Sequence, residues 1–147
     1  MALQFITQGI LERNNVDDGY GSSPGAILNL PYDISFLAGY DAETAGEDVV
    51  ARVYGEMIMA RPGIFTGEIA YADTSPAGNA LIIDVQKNGS TIYSTKPQFL
   101  NSSTLTTAGV FSGDASFTSG NRITFKVHQI GSSTVGKGVR FMLKCKV

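Results

Sequence analysis

Charge is scarce in this chain. Of 147 residues, 11 are Lys or Arg and 13 are Asp or Glu, a charged fraction of 16% against roughly 25% in ordinary soluble domains. A formal net charge of −2 provides no global positive field to hold phosphates, so nucleic acid is not an expected partner. Cysteine and histidine occur once each, as Cys145 and His128, and tryptophan not at all. One cysteine excludes an internal disulfide, and one cysteine with one histidine cannot furnish a four-ligand N/S zinc site. No cofactor is implied. The longest apolar runs are a few residues, far short of the roughly 18 that span a bilayer, and no basic flank precedes the first apolar residues. The expectation is therefore a soluble protein with no signal peptide and no membrane partner, made in a reducing cytoplasm. What is abundant is glycine, 17 residues, with Ser, Thr and Asn to cover the exterior. The length fits one domain, since a chain of about 150 residues buries roughly 70% of its unfolded surface and needs no staple.

Residues 1–25 differ from the rest. Leu3, Phe5, Ile6, Ile10 and Leu11 are scattered through an apolar segment, and Glu12 to Gly25 then carries turn and loop residues throughout. The reading is an extended N-terminal arm on a linker, which either packs on its own domain or docks on a neighbouring subunit. From residue 26 to 147 the apolar period is two. Ile123, Phe125 and Val127 alternate with Thr124, Lys126 and His128, and Val139, Phe141, Leu143, Cys145 and Val147 alternate with Arg140, Lys144 and Lys146. Leu81, Ile83 and Val85 share a face in 80–86, and Asn88-Gly89 then supplies the positive φ angles of a type I′ hairpin turn, with 90–95 as the return strand. Further strands are expected at 27–38, 50–60, 64–72, 104–108 and 110–118. Val49, Val53 and Met57 also fit a helical stripe, but the valines and Gly55 favour a strand. About eight strands and no convincing helix point to a single all-β domain, a β-sandwich or jelly roll, over 26–147.

The residues offer little catalytic chemistry. His128 lies on the polar face of its strand, where a solvated side chain is the simplest reading. Ser112 has Val110 two positions before it, so no G-x-S-x-G elbow exists. Asp84 and Asp114 lie in or near strands, but a glycosidase pair must also face across a cleft about 5–10 Å wide. Asp41, Glu43, Glu47 and Asp48 supply the hard oxygens calcium prefers, though acidic loop residues are ordinarily solvated surface. Gly19 to Pro24 fails as a dinucleotide fingerprint at Pro24, and Asn14 to Gly25 fails as an EF-hand at Val16 and Gly25. Asn88 and Asn101 begin N-x-S/T sequons, which mean little without secretion. Cys145 falls on the apolar face of the last strand as a small buried residue. Tyr20, Tyr32, Tyr40, Tyr54, Tyr71 and Tyr93 suit either a sugar-binding surface or ordinary strand packing. No enzyme is expected.

Several segments carry a family likeness. Tyr32-Asp33-Ile34-Ser35-Phe36, Val53 through Ala60-Arg61-Pro62, and Ala80 through Asp84-Val85-Gln86-Lys87-Asn88-Gly89-Ser90-Thr91-Ile92 resemble small β-sandwich proteins and modules of tailed-bacteriophage virions. Ser119-Gly120-Asn121-Arg122-Ile123-Thr124 and Gln129-Ile130-Gly131-Ser132-Ser133-Thr134 are similar to the same group, with Gly120-Asn121 where its pattern more often has Gly-Asp. The likeness covers about residues 32–147 and leaves out the N-terminal arm. It implies a virion structural role, in capsid decoration, a head fibre or a tail module, and no catalytic residue. The leading expectation is a capsid decoration (cement) protein. It would sit on the capsid exterior as a homotrimer and hold the major capsid protein through its sandwich sides and the arm residues Leu3, Phe5, Ile6, Ile10 and Leu11. The alternative is a tail-fibre or baseplate module that binds host-surface glycan.

Overall fold

Alternation of apolar and polar side chains lays down the long strands, and Gly/Ser/Thr-rich turns cut the rest short. In the computed structural model, which describes residues 31–40 and 46–147, the strands are β1 (Ile34–Ala38), β2 (Val53–Ile58), β3 (Gly63–Thr74), β4 (Leu81–Lys87), β5 (Ser90–Thr91), β6 (Tyr93–Thr95), β7 (Gln98–Phe99), β8 (Thr106–Thr107), β9 (Val110–Phe111), β10 (Ser116–Phe117), β11 (Arg122–Gln129) and β12 (Lys137–Lys146). The described residues include no helix. The arm positions Leu3, Phe5, Ile6, Ile10 and Leu11, and the acidic residues Asp41 and Glu43, lie outside the described residues.

The strands form two main antiparallel sheets. The first has the order β1-β12-β3-β10 and the second β2-β11-β4-β7-β8, with β5 folded back on β4; β6 and β9 make a separate ribbon. The sheets pack face to face as in a β-sandwich. Phe36 on β1 stacks on Phe125 on β11 at 4.9 Å between ring centroids, and Phe141 on β12 meets Phe125 at 5.3 Å. A second aromatic group, Phe65, Phe117, Phe111 and Tyr93, closes the other part of the core. Between them lie Leu81, Ile83, Val85, Phe99, Ile123, Val127, Val139 and Leu143, all without solvent contact.

The Asn88-Gly89 hairpin forms as its dipeptide dictates, with φ of 53° and 88° and Lys87 opposite Ser90. Its return strand differs from expectation. Ser90–Thr91 pairs with β4, but Tyr93–Thr95 leaves that strand to pair with Val110–Phe111. The expected strand 110–118 is likewise two pieces, because Gly113 at φ 72° and the Asp114 turn separate β9 from β10, which joins the first sheet. The described residues thus form twelve strand segments where about eight were expected, six of them only two or three residues long.

One irregularity decides which side chains meet solvent. Phe65 faces the core, and strict alternation from there would turn Ile69 and Tyr71 inward and Glu68 outward. The register of β3 against β12 shifts between Lys144 and Cys145, where Gly67 takes a φ of 148°. This bulge reverses the phase. Glu68, Ala70 and Ala72 are buried, while Ile69 and Tyr71 are exposed by 54% and 45%. Nothing lies within 4 Å of a Cβ built on Gly67, so its constraint is the dihedral angle and not space. Gly67→Ala is therefore expected to cost about 1–3 kcal/mol. The check is the urea midpoint, and an unchanged midpoint would mean that the bulge tolerates an L-residue.

Candidate interaction surface

The outward side chains of the first sheet follow from the register. Leu37, Arg140 and Tyr71 form one row across β1, β12 and β3, and Ser35, Met142 and Ile69 form the next. Leu105, 59% exposed, pairs by an isolated bridge with Tyr71 and walls the third side. Ser35, Ile69, Tyr71, Leu105, Arg140 and Met142 line a shallow, mainly apolar depression of about 250 Å³, with Leu37 beside it. Each of these apolar residues sits on a strand or bridge whose backbone is already paired, so what is left to satisfy is hydrophobic area.

One end of the depression is polar. The Asp73 carboxylate accepts hydrogen bonds from the Arg140 guanidinium at 2.6 Å and from the Tyr40 hydroxyl at 3.0 Å. The Arg140 bond, and then the Tyr40 bond, hold the Asp73 carboxyl below the usual carboxylate range. Partial burial, and then Asp73, push the Tyr40 phenol up. The guanidinium also lies 5.2 Å from the centre of the Tyr40 ring.

A second exposed apolar strip runs along β2. Among the described residues this strand pairs with β11 alone, and Val53 and Ile58 are 52% and 59% exposed along it. Its polar companions are Glu56, which pairs with Arg122 at 3.4 Å, and Arg52, which lies over the Tyr54 ring. Val53 and Ile58 lie opposite Lys126 and Arg122, so apolar and charged side chains are interspersed along this edge.

Inside the sandwich the bulge at Gly67 delivers a carboxylate. Glu68 accepts from the Tyr93 hydroxyl at 3.0 Å and from the Gly109 amide at 2.5 Å. Burial, and then the neighbouring Glu68, push the Tyr93 phenol far above its ordinary range. The carboxylate is spent on tying β3 to the β6–β9 region.

The candidate residues read from the sequence scatter over the molecule. His128 is exposed on β11, as its strand phase requires. Thr124, expected beside it on the polar face, is buried and donates to Glu56 at 3.0 Å. Cys145 is buried, and that burial, with Asp33 behind it, pushes its thiol up to about 12. Asp84 is buried and accepts from Thr91 and, at 3.1 Å, from Gln86. Asp114 instead sits in an exposed turn, accepting from the Ser116 amide at 2.9 Å, so the two carboxylates have unrelated surroundings. Asp48 pairs with Lys137 at 3.2 Å. Among the described residues no group of three His, Cys, Asp or Glu is placed to hold a metal ion. The tyrosines divide: Tyr93 is buried, Tyr32, Tyr40 and Tyr54 half-buried, Tyr71 exposed, and Tyr20 outside the described residues. Ile69, Tyr71 and Leu105 carry no sequence sign of being external, apart from the glycine inside β3 that marks a bulge.

No protein-family model, curated protein or solved structure matches this chain.

Proposed function

We propose that this protein is a non-enzymatic structural component of a tailed-phage virion, a capsid decoration (cement) protein that binds the capsid exterior as a homotrimer and bridges neighbouring major capsid subunits. The observation that carries this reading is the pair of exposed apolar side chains Val53 and Ile58 on β2, an edge of the second sheet among the described residues, in a chain with little charge overall. A surface of that kind loses little desolvation energy when it packs against other protein. Many copies on a repetitive lattice would add avidity.

The strand order supports a finer reading of the fold. If β5, β6, β8 and β9 are treated as insertions, eight strands remain and lie, counted consecutively, as 1-8-3-6 in one sheet and 2-7-4-5 in the other. This order supports the jelly-roll reading, an architecture used by viral capsid and lectin domains. The lectin use keeps the glycan-binding alternative in play, because Tyr71 and Tyr40 flank the Asp73–Arg140 pair with aromatic faces and polar groups.

Mixing the purified protein with capsids that lack it is the test. Saturable binding, a trimeric solution mass and a raised melting temperature of the particles are the expected results. Particles that are equally heat-resistant with and without it would overturn the cement role, and adsorption to host cell walls with retention on a glycan array would favour the alternative.

A further inference from the structure

One buried acid holds a nucleophile beside an electrophile. Asp84 on β4 is 3% exposed, and its two carboxylate oxygens serve different partners: Oδ1 accepts from the Thr91 hydroxyl, and Oδ2 accepts from the Gln86 side-chain amide at 3.1 Å. We propose that Thr91 and Gln86 join in an intramolecular ester, formed by attack of Thr91 Oγ1 on Gln86 Cδ with Asp84 as the general base. This inference does not depend on the virion reading, because it concerns the folded chain alone.

The register sets the approach. Gln86 and Thr91 are directly opposed across the β4–β5 hairpin, a relation that places Cβ atoms about 4.5–5.5 Å apart. Thr124 flanks Gln86 on the other side, from β11, but its hydroxyl is donated to Glu56 at 3.0 Å. Of the two threonines beside the amide, Thr91 is thus the one whose proton is aimed at a base that also touches the amide. The Tyr93 backbone amide donates to Thr91 Oγ1 at 3.3 Å, an N–H dipole that offsets negative charge as the hydroxyl gives up its proton. Attack needs Oγ1 about 3–3.5 Å from Cδ, and rotation of the unbranched, half-buried Gln86 side chain supplies the final approach.

The chemistry balances without another reactant. Asp84 takes the Thr91 hydroxyl proton as the Oγ1–Cδ bond forms. The tetrahedral carbon then expels the amide nitrogen, which receives that proton from Asp84 and leaves as ammonia. A C–N bond of Gln86 is exchanged for a C–O bond, nothing is oxidised or reduced, and the carboxylate is restored. Loss of ammonia to solvent makes the exchange one-way.

The position gives the bond a use. Thr91 is the last residue of β5, and Tyr93, two residues on, is already paired with Phe111. An ester between Gln86 and Thr91 would fasten the chain to β4 at the point where it departs for the β6–β9 ribbon.

Intact mass spectrometry of the full chain tests the bond, and the expected mass is the sequence mass less one ammonia. Asn88-Gly89 loses the same mass when it closes to a succinimide, so the bond must also be located in peptides. Trypsin cleaves after Lys87, between the two reacting residues. An ester keeps the peptides on either side of that cut joined until mild alkali parts them, whereas a succinimide leaves them separate. Thr91→Ser, which keeps a hydroxyl, should keep the bond. Thr91→Val and Asp84→Asn should each restore the full sequence mass while circular dichroism stays that of the parent, and Thr91→Val carries the comparison if Asp84→Asn fails to fold. A parent chain at its full sequence mass, or one whose lost mass lies on separate peptides, would overturn the proposal. Joined peptides in Thr91→Val would overturn the nucleophile, and joined peptides in Asp84→Asn would overturn the base.

Discussion

Phe125→Ala is expected to destabilise the protein by about 3–5 kcal/mol. Phe125 has no solvent contact and is the ring on which the two sheets meet: Phe36 stacks on it from β1, Phe141 tilts against it from β12, and Tyr54 approaches edge-on at 6.5 Å. Truncation loses the transfer free energy of the ring and leaves a cavity bounded by both sheets, which paired backbones on each side keep from collapsing. Phe36→Ala removes the other half of the stack, but Phe36 is only half-buried, so its cost should be clearly smaller. The double variant should fall short of the sum by roughly 0.5–1.5 kcal/mol, the coupling of an aromatic pair. Urea unfolding of the four proteins measures all three quantities, provided the slope of free energy against urea is unchanged. A Phe125→Ala cost under about 1 kcal/mol would mean that the sheets are not joined through this ring.

The long strands around Phe125 are the part of the fold that the sequence makes legible. The expected limits 122–130, 139–147 and 80–86 stand beside the observed Arg122–Gln129, Lys137–Lys146 and Leu81–Lys87. Each is half-buried, so its apolar residues report the core directly. Legibility ends where pairing is not local. Nothing in Ser90 to Thr95 says that Tyr93 will leave its hairpin for Val110 and Phe111, because that choice is made by residues distant in sequence. Nor does Ile69 or Tyr71 look external. Period-two reading places them with Phe65, and only the bulge at Gly67 turns them out and brings Glu68 in. The candidate surface and the buried carboxylate are thus two results of one inserted residue. A search for paired acids that begins from Asp84 and Asp114 passes Glu68 by, because strict alternation assigns it to solvent.

The buried carboxylate carries the second large effect. Glu68→Ala is expected to cost about 2–4 kcal/mol, because it strands the Tyr93 hydroxyl and the Gly109 amide together, each losing a buried acceptor. Tyr93→Phe should cost less, about 1–2 kcal/mol, since Glu68 keeps its bond to Gly109. The two losses share a hydrogen bond, so the double variant should cost less than their sum. Alkaline pH separates this network from simple packing. Burial and Glu68 raise the Tyr93 phenol in the folded chain above its ordinary value of 10.0, while the unfolded chain keeps that value. The stability linked to Tyr93 is therefore fully present below about pH 10, and it falls above that pH as the unfolded state releases a proton the folded state retains. Tyr93→Phe cannot release that proton, so its stability should decline less steeply than the parent's above pH 10, and the gap between the two proteins should narrow. Urea midpoints taken from pH 8 to pH 11 measure this. Parallel curves would mean that the phenol ionises as readily in the folded protein as in the unfolded chain.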